Sequence, residues 1–95
     1  MKKVAVIIDE VEQQYEGLRT SLGTLLEDAS VKMIVLNHEI KEMNEAYSEN
    51  MEFLDEMEGE RFSNNITNVE KYGFKNATIE EIGQYLNEAD VVIPF

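Results

Sequence analysis

The sequence predicts an α/β protein, three layers deep (α/β/α), around a small, mainly parallel sheet of about four strands. Short β-branched runs alternate with segments of helical periodicity from one end of the chain to the other. The first run, Val4-Ala5-Val6-Ile7-Ile8, is apolar at every position, as a strand covered on both faces requires. With 95 residues and 43% hydrophobic content, the chain can close one core and has no room for a second, so residues 1–95 form a single domain.

The elements follow in order. After the strand Val4–Ile8, Tyr15, Leu18, Leu22, Leu25 and Leu26 recur at helical spacing within a helix over Glu12–Asp28. Gly17 and Gly23 lie inside it, each costing about 1 kcal/mol against alanine, and close packing against the sheet or a neighbouring subunit is the expected reason for them. Val31–Leu36 is the second strand. A long helix is expected over Glu39–Glu58, with Ile40, Met43, Tyr47, Met51 and Leu54 as its apolar stripe and Gly59 as its C′ residue. Glu60–Ser63 reads as the third strand and Thr67–Tyr72 as a brief helix stopped by Gly73. Thr78-Ile79-Glu80-Glu81 has the spacing of a capping box and opens a last helix ending near Glu88. Val91-Val92-Ile93 is the final strand. Right-handed crossovers put helices on both faces.

Eight Lys and Arg against 20 Asp and Glu leave a formal charge of −12. That balance argues against nucleic-acid backbones and anionic membranes as partners. Residues 39–60 hold nine acids and one lysine, a face that is either solvated or meets a basic partner. No stretch approaches the length of a membrane span, and the opening apolar run is too short for a signal core, so a cytoplasmic protein is expected. The chain contains no cysteine, which removes disulfides, thiolate metal sites and thiol nucleophiles together.

In open parallel sheets, ligands bind beyond the carboxyl ends of the strands. Four loops occupy that position: Asp9-Glu10, Asn37-His38, Ser63-Asn64-Asn65 and Pro94-Phe95. The candidate ligand-binding crevice is therefore Asp9, Asn37, His38, Ser63, Asn64 and Asn65. Asp9-Glu10 alone is an ordinary loop acid pair, able to cap the first helix. His38 is the only histidine, so it cannot supply a common catalytic zinc site, and Ser63 has no recognisable base or nucleophile-elbow context. No catalytic residue, metal site or cofactor is expected.

The order of motifs resembles the DsrE-like sulfur-relay family (DsrE/DsrF, TusD and YchN relatives). The resemblance is carried by Lys3-Val4-Ala5-Val6-Ile7, then by Glu16-Gly17-Leu18-Arg19 with Leu22-Gly23, and then by Val31–Leu36. It continues through Gly59-Glu60-Arg61-Phe62 and from Thr78-x-x-Glu81 by way of Ala89-Asp90 to Val91-Val92-Ile93. It covers essentially the whole chain, although each motif alone is loose. It implies a flavodoxin-like, DsrE-like subunit that assembles as a trimer or hexamer, with a related cysteine-bearing subunit as a further partner. Active members carry an acceptor cysteine in the loop after the third strand, which maps onto Ser63-Asn64-Asn65. None of these is cysteine, and neither a hydroxyl nor an amide can hold a persulfide.

Two function classes stay open. One is a non-catalytic DsrE-like subunit acting through oligomerisation or partner binding in a sulfur-metabolism context. The other is a small-molecule binder or thiol-independent enzyme using the strand-end crevice.

Overall fold

In the computed structural model, which describes residues 1–95, the strands are β1 (Lys3–Ile8), β2 (Ser30–Val35), β3 (Glu60–Ser63), β4 (Lys75–Asn76) and β5 (Val91–Pro94). The helices are α1 (Gln14–Leu26), α2 (Glu45–Glu56), α3 (Ile66–Tyr72) and α4 (Ile79–Glu88), with a single 3₁₀ turn over Val11–Gln13 ahead of α1. All strands are parallel, in the order β4-β3-β2-β1-β5. The expected α/β class is thus what the chain adopts, with five strands rather than about four. The extra strand, β4, is two polar residues long and carries no periodicity of its own; it exists because Phe62 and Ser63 offer it a ladder.

Strand pleating divides the core in two. Val4, Val6 and Ile8 of β1, with Val31, Met33 and Val35 of β2, face α1 and α2, and Val69 and Tyr72 of α3 pack against the same cluster. Ala5, Ile34 and Phe62 point the opposite way and meet Ile82, Tyr85 and Leu86 of α4. Three helices therefore cover one face and α4 alone covers the other. The chain steps from β1 to β4 in one direction and returns to β5 beyond β1, and α4 changes face with that reversal, as a constant crossover hand requires.

Several expectations about local structure are corrected. The long helix begins at Glu45, not Glu39, because Ile40 and Met43 reach the core from a loop. Asn37 and Glu42 take positive φ, of 70° and 54°, which no helix accommodates, and Asn44 caps α2 by accepting from the Tyr47 amide at 2.8 Å. At the other end of α2 the left-handed residue is Glu58, φ 67°, rather than Gly59. Gly59 is small for a different reason, since a Cβ there would lie 2.7 Å from Leu54 Cδ2 and 2.8 Å from Leu25 Cδ1. The first helix is shorter than Glu12–Asp28, and neither Asp9 nor Glu10 caps it through a side chain. Gly17 does pack tightly, with its Cβ position only 2.4 Å from Ile8, whereas Gly23 has nothing within 4 Å. The Thr78 capping box forms in full: Thr78 Oγ1 accepts from the Glu81 amide at 3.1 Å, and the Glu81 carboxylate accepts from the Thr78 amide at 2.9 Å.

Candidate functional site

The four loops expected to share one end of the sheet do so, because every strand runs the same way. The Phe95 amide donates to Ile7 O at 2.8 Å, and the Phe95 carbonyl accepts from the amides of Asp9 and Glu10 at 2.8 and 3.2 Å. The β1 and β5 ends are thereby joined through backbone. Asp9 itself is exposed, and its carboxylate makes no hydrogen bond or ion pair within the chain, so it stands apart from the other predicted site residues.

Asn37, Ser63, Asn64 and Asn65 are brought together, but mainly to satisfy one another. Asn37 and Asn64 form a reciprocal pair: the Asn37 amide donates to Asn64 Oδ1 at 2.7 Å, and Asn64 Nδ2 donates to Asn37 Oδ1 at 2.9 Å. Asn65 caps α3 by accepting from the amides of Thr67 and Asn68. Ser63, 0% exposed, donates through Oγ to Val35 O at 2.8 Å. The same oxygen accepts from the Asn65 amide at 3.0 Å and from Asn68 Nδ2 at 3.1 Å. A hydroxyl has one proton and two lone pairs, so Ser63 is fully committed and cannot serve as a nucleophile.

Asn68 is the residue that sequence reasoning missed. It is completely buried on α3; its Nδ2 also donates to His38 O at 2.8 Å, while its Oδ1 accepts from the Ile40 amide at 2.9 Å. One side chain thus ties the β2 loop to the β3 loop. An asparagine in the first turn of a short helix was the available signal, but nothing local says which loop it holds. His38 is half-buried beside this network. Its Nδ1 lies 3.0 Å from the Leu36 carbonyl, which can only accept, so Nδ1 bears the proton; Nε2 is buried with no partner in the chain.

Beyond this lock, between the loops that follow β1 and β2, lies an open cleft of about 370 Å³. Its walls include Glu12, Gln14, Tyr15, Lys41, Asn44 and Tyr47. None of these was among the residues expected to bind a ligand. The Gln14 carboxamide braces the cleft by pairing with both the carbonyl and the amide of Lys41. Tyr47 is buried, and its hydroxyl points toward Gln14 O at 3.4 Å. Burial pushes that hydroxyl well above the ordinary tyrosine range, the Arg61 charge offsetting only a part, so it remains a neutral phenol. Glu12, Glu42 and Lys41 give the walls mixed charge, and no three acidic or histidine side chains converge as a metal-binding group.

No family model, curated protein or solved structure matches this chain. No helix is long and apolar enough to cross a membrane.

Proposed function

We propose that this chain is a non-catalytic subunit of the DsrE-like sulfur-relay kind, cytoplasmic, acting by assembly with copies of itself as a trimer or hexamer, or with a cysteine-bearing relative. The observation that carries the reading is Ser63. At the loop where active relatives hold their acceptor thiol, this chain has a buried hydroxyl whose three hydrogen-bonding positions are all occupied. A loop so committed has a structural role, and surfaces are left to do the work.

The second face of the sheet is one such surface. Val92 and Pro94 of β5 pair in register with Ala5 and Ile7, so they share the face that α4 covers only beyond β1. Val92 is 41% exposed there, on an edge strand. Open edges and half-covered apolar faces are what association closes. The test is light scattering on the chain eluting from size exclusion. A trimer or hexamer is expected, reduced by Val92→Asp; a clean monomer at micromolar concentration removes self-assembly from the reading.

The cleft beside Gln14 favours a second reading, a small-molecule binder. Its contacts would be Gln14, Lys41 and Asn44 rather than the asparagine lock. A metabolite thermal-shift screen tests it: a stabilising ligand should lose its effect in Lys41→Ala and keep it in Asn37→Ala. The absence of any shift counts against this reading.

A further inference from the structure

The helix α1 carries two apolar stripes rather than one. Leu18 and Leu25 face the sheet and are buried, whereas Tyr15, Leu22 and Leu26, at i, i+7 and i+11, lie on the flank toward α2 and solvent. α2 mirrors this. Tyr47, Met51 and Leu54 turn inward, while Ala46 and Phe53, at i and i+7, are exposed on the flank toward α1, and Met57, just past the helix end, is half-buried against the core. That flank is identified by Asn50, whose Nδ2 donates to the Tyr15 hydroxyl at 3.4 Å.

The two helices touch at both ends. The Tyr15 and Tyr47 rings lie 6.2 Å apart near the start, and Gly59 sits against both Leu25 and Leu54 near the finish. Leu26, 67% exposed, and Phe53, 48% exposed, therefore stand along one outer seam. Acids border it: Glu49, Glu52 and Glu56 are exposed on α2, and Glu27 and Asp28 follow α1. Arg19 is the only basic residue on either helix, and Glu16 lies 3.6 Å from it.

We infer that the α1–α2 seam is a docking surface for a helical segment of another protein, one presenting apolar side chains flanked by lysines or arginines. This rests on the partner-binding reading above and names the chemistry of the partner. Exposed Phe and Leu supply the anchors, and the acidic border supplies charge complementarity. A second copy is disfavoured, since a two-fold contact would set each acidic border against its own image. Anionic lipid is repelled by the same charges.

The test uses the full chain and a fluorescently labelled amphipathic helix of about eighteen residues, long enough to hold its fold, with leucine on one face and lysine elsewhere. Its control replaces every lysine by glutamate. Fluorescence anisotropy should show saturable binding of the lysine helix, falling steeply with salt, and none of the glutamate helix. The double variant Leu26→Ser/Phe53→Ser keeps the charge and alters only exposed positions. It should weaken binding about tenfold or more, with circular dichroism unchanged, while Val92→Ser leaves binding intact. Equal binding by the double variant, or equal loss in Val92→Ser, overturns the inference. If the double variant instead breaks up a homo-oligomer, the seam is a self-contact and the inference falls while the assembly reading stands. If the natural chain is a monomer and binds the lysine helix through Leu26 and Phe53, the inference stands and self-assembly falls.

Discussion

Asn68 Oδ1 accepts from the backbone amide of Ile40 at 2.9 Å, across 28 positions of sequence, and both residues are buried. The contact ties the loop after β2 to α3. Helical spacing runs through Ile40, Met43 and Tyr47, but the left-handed φ of 54° at Glu42 breaks a helix there, and the Ile40 amide finds its acceptor on α3 instead.

Replacing Asn68 by leucine should therefore destabilise the domain by about 3 kcal/mol. The Ile40 amide and the His38 carbonyl lose their partner and Ser63 Oγ loses a donor, and each buried polar group left unpaired costs about 1–3 kcal/mol. Asn37→Gly, which removes only the exposed contact from Asn64 Nδ2 and suits the positive φ of 70°, should cost under about 1 kcal/mol. Urea midpoints at unchanged slope measure both. Equal costs would mean that the lock is not where the stability resides.

How much was legible follows from which contacts are local. The Thr78-x-x-Glu81 box describes itself, because it is satisfied by its immediate neighbours, and β1 shows in its unbroken apolar run even though its partners β2 and β5 lie far along the chain. The loop 37–44 does not, since the asparagine that organises it lies on α3. Tyr15 and Leu26 share helical spacing with Leu18 and Leu25, yet only the latter pair is buried; the division between stripes depends on where the sheet lies. The candidate site was legible in place but not in use. Parallel strands had to bring those loops together, whereas the mutual satisfaction of the asparagines and the opening of the cleft beside Gln14 are tertiary outcomes.

Burial also separates two positions in the loop where a relay thiol would sit. Ser63→Cys places sulfur at a site with no exposure, while Asn64→Cys places it at a half-buried position beside solvent. After incubation with a polysulfide donor, intact-mass spectra should show a gain of about 32 Da, one sulfur, on Asn64→Cys only. The natural chain should gain nothing. Sulfur taken up by the natural chain would defeat the non-catalytic reading at once.

Tyr47 sets an alkaline limit on stability. Its hydroxyl ionises near 10.0 in the unfolded chain and well above that when folded, because burial disfavours the phenolate. Below pH 10 both states hold the proton and nothing is lost. Above it the unfolded state releases a proton that the native state keeps, so stability falls as pH rises toward the folded value. Tyr47→Phe should flatten the loss of stability above pH 10, as read by urea midpoints across the alkaline range. An unchanged slope would assign the alkaline sensitivity to other groups.

The two glycines of α1 should respond to alanine with opposite signs. At Gly23 an added Cβ meets nothing within 4 Å, so only the backbone term remains, and Gly23→Ala should stabilise by about 1 kcal/mol. At Gly17 the same methyl would sit 2.4 Å from both Cδ1 and Cγ1 of Ile8, a side chain with no exposure. The helix gain is then outweighed by overpacking, which costs about 1–3 kcal/mol, and α1 must lift from β1 or Ile8 must leave its rotamer. Trimming the neighbour separates these outcomes. Ile8→Val alone should cost about 1 kcal/mol, but in the Gly17→Ala background it should cost less, because it removes one of the two clashing carbons. Thermal melts of the four chains in that cycle give the coupling directly. Strict additivity would mean that α1 does not rest on Ile8 through Gly17.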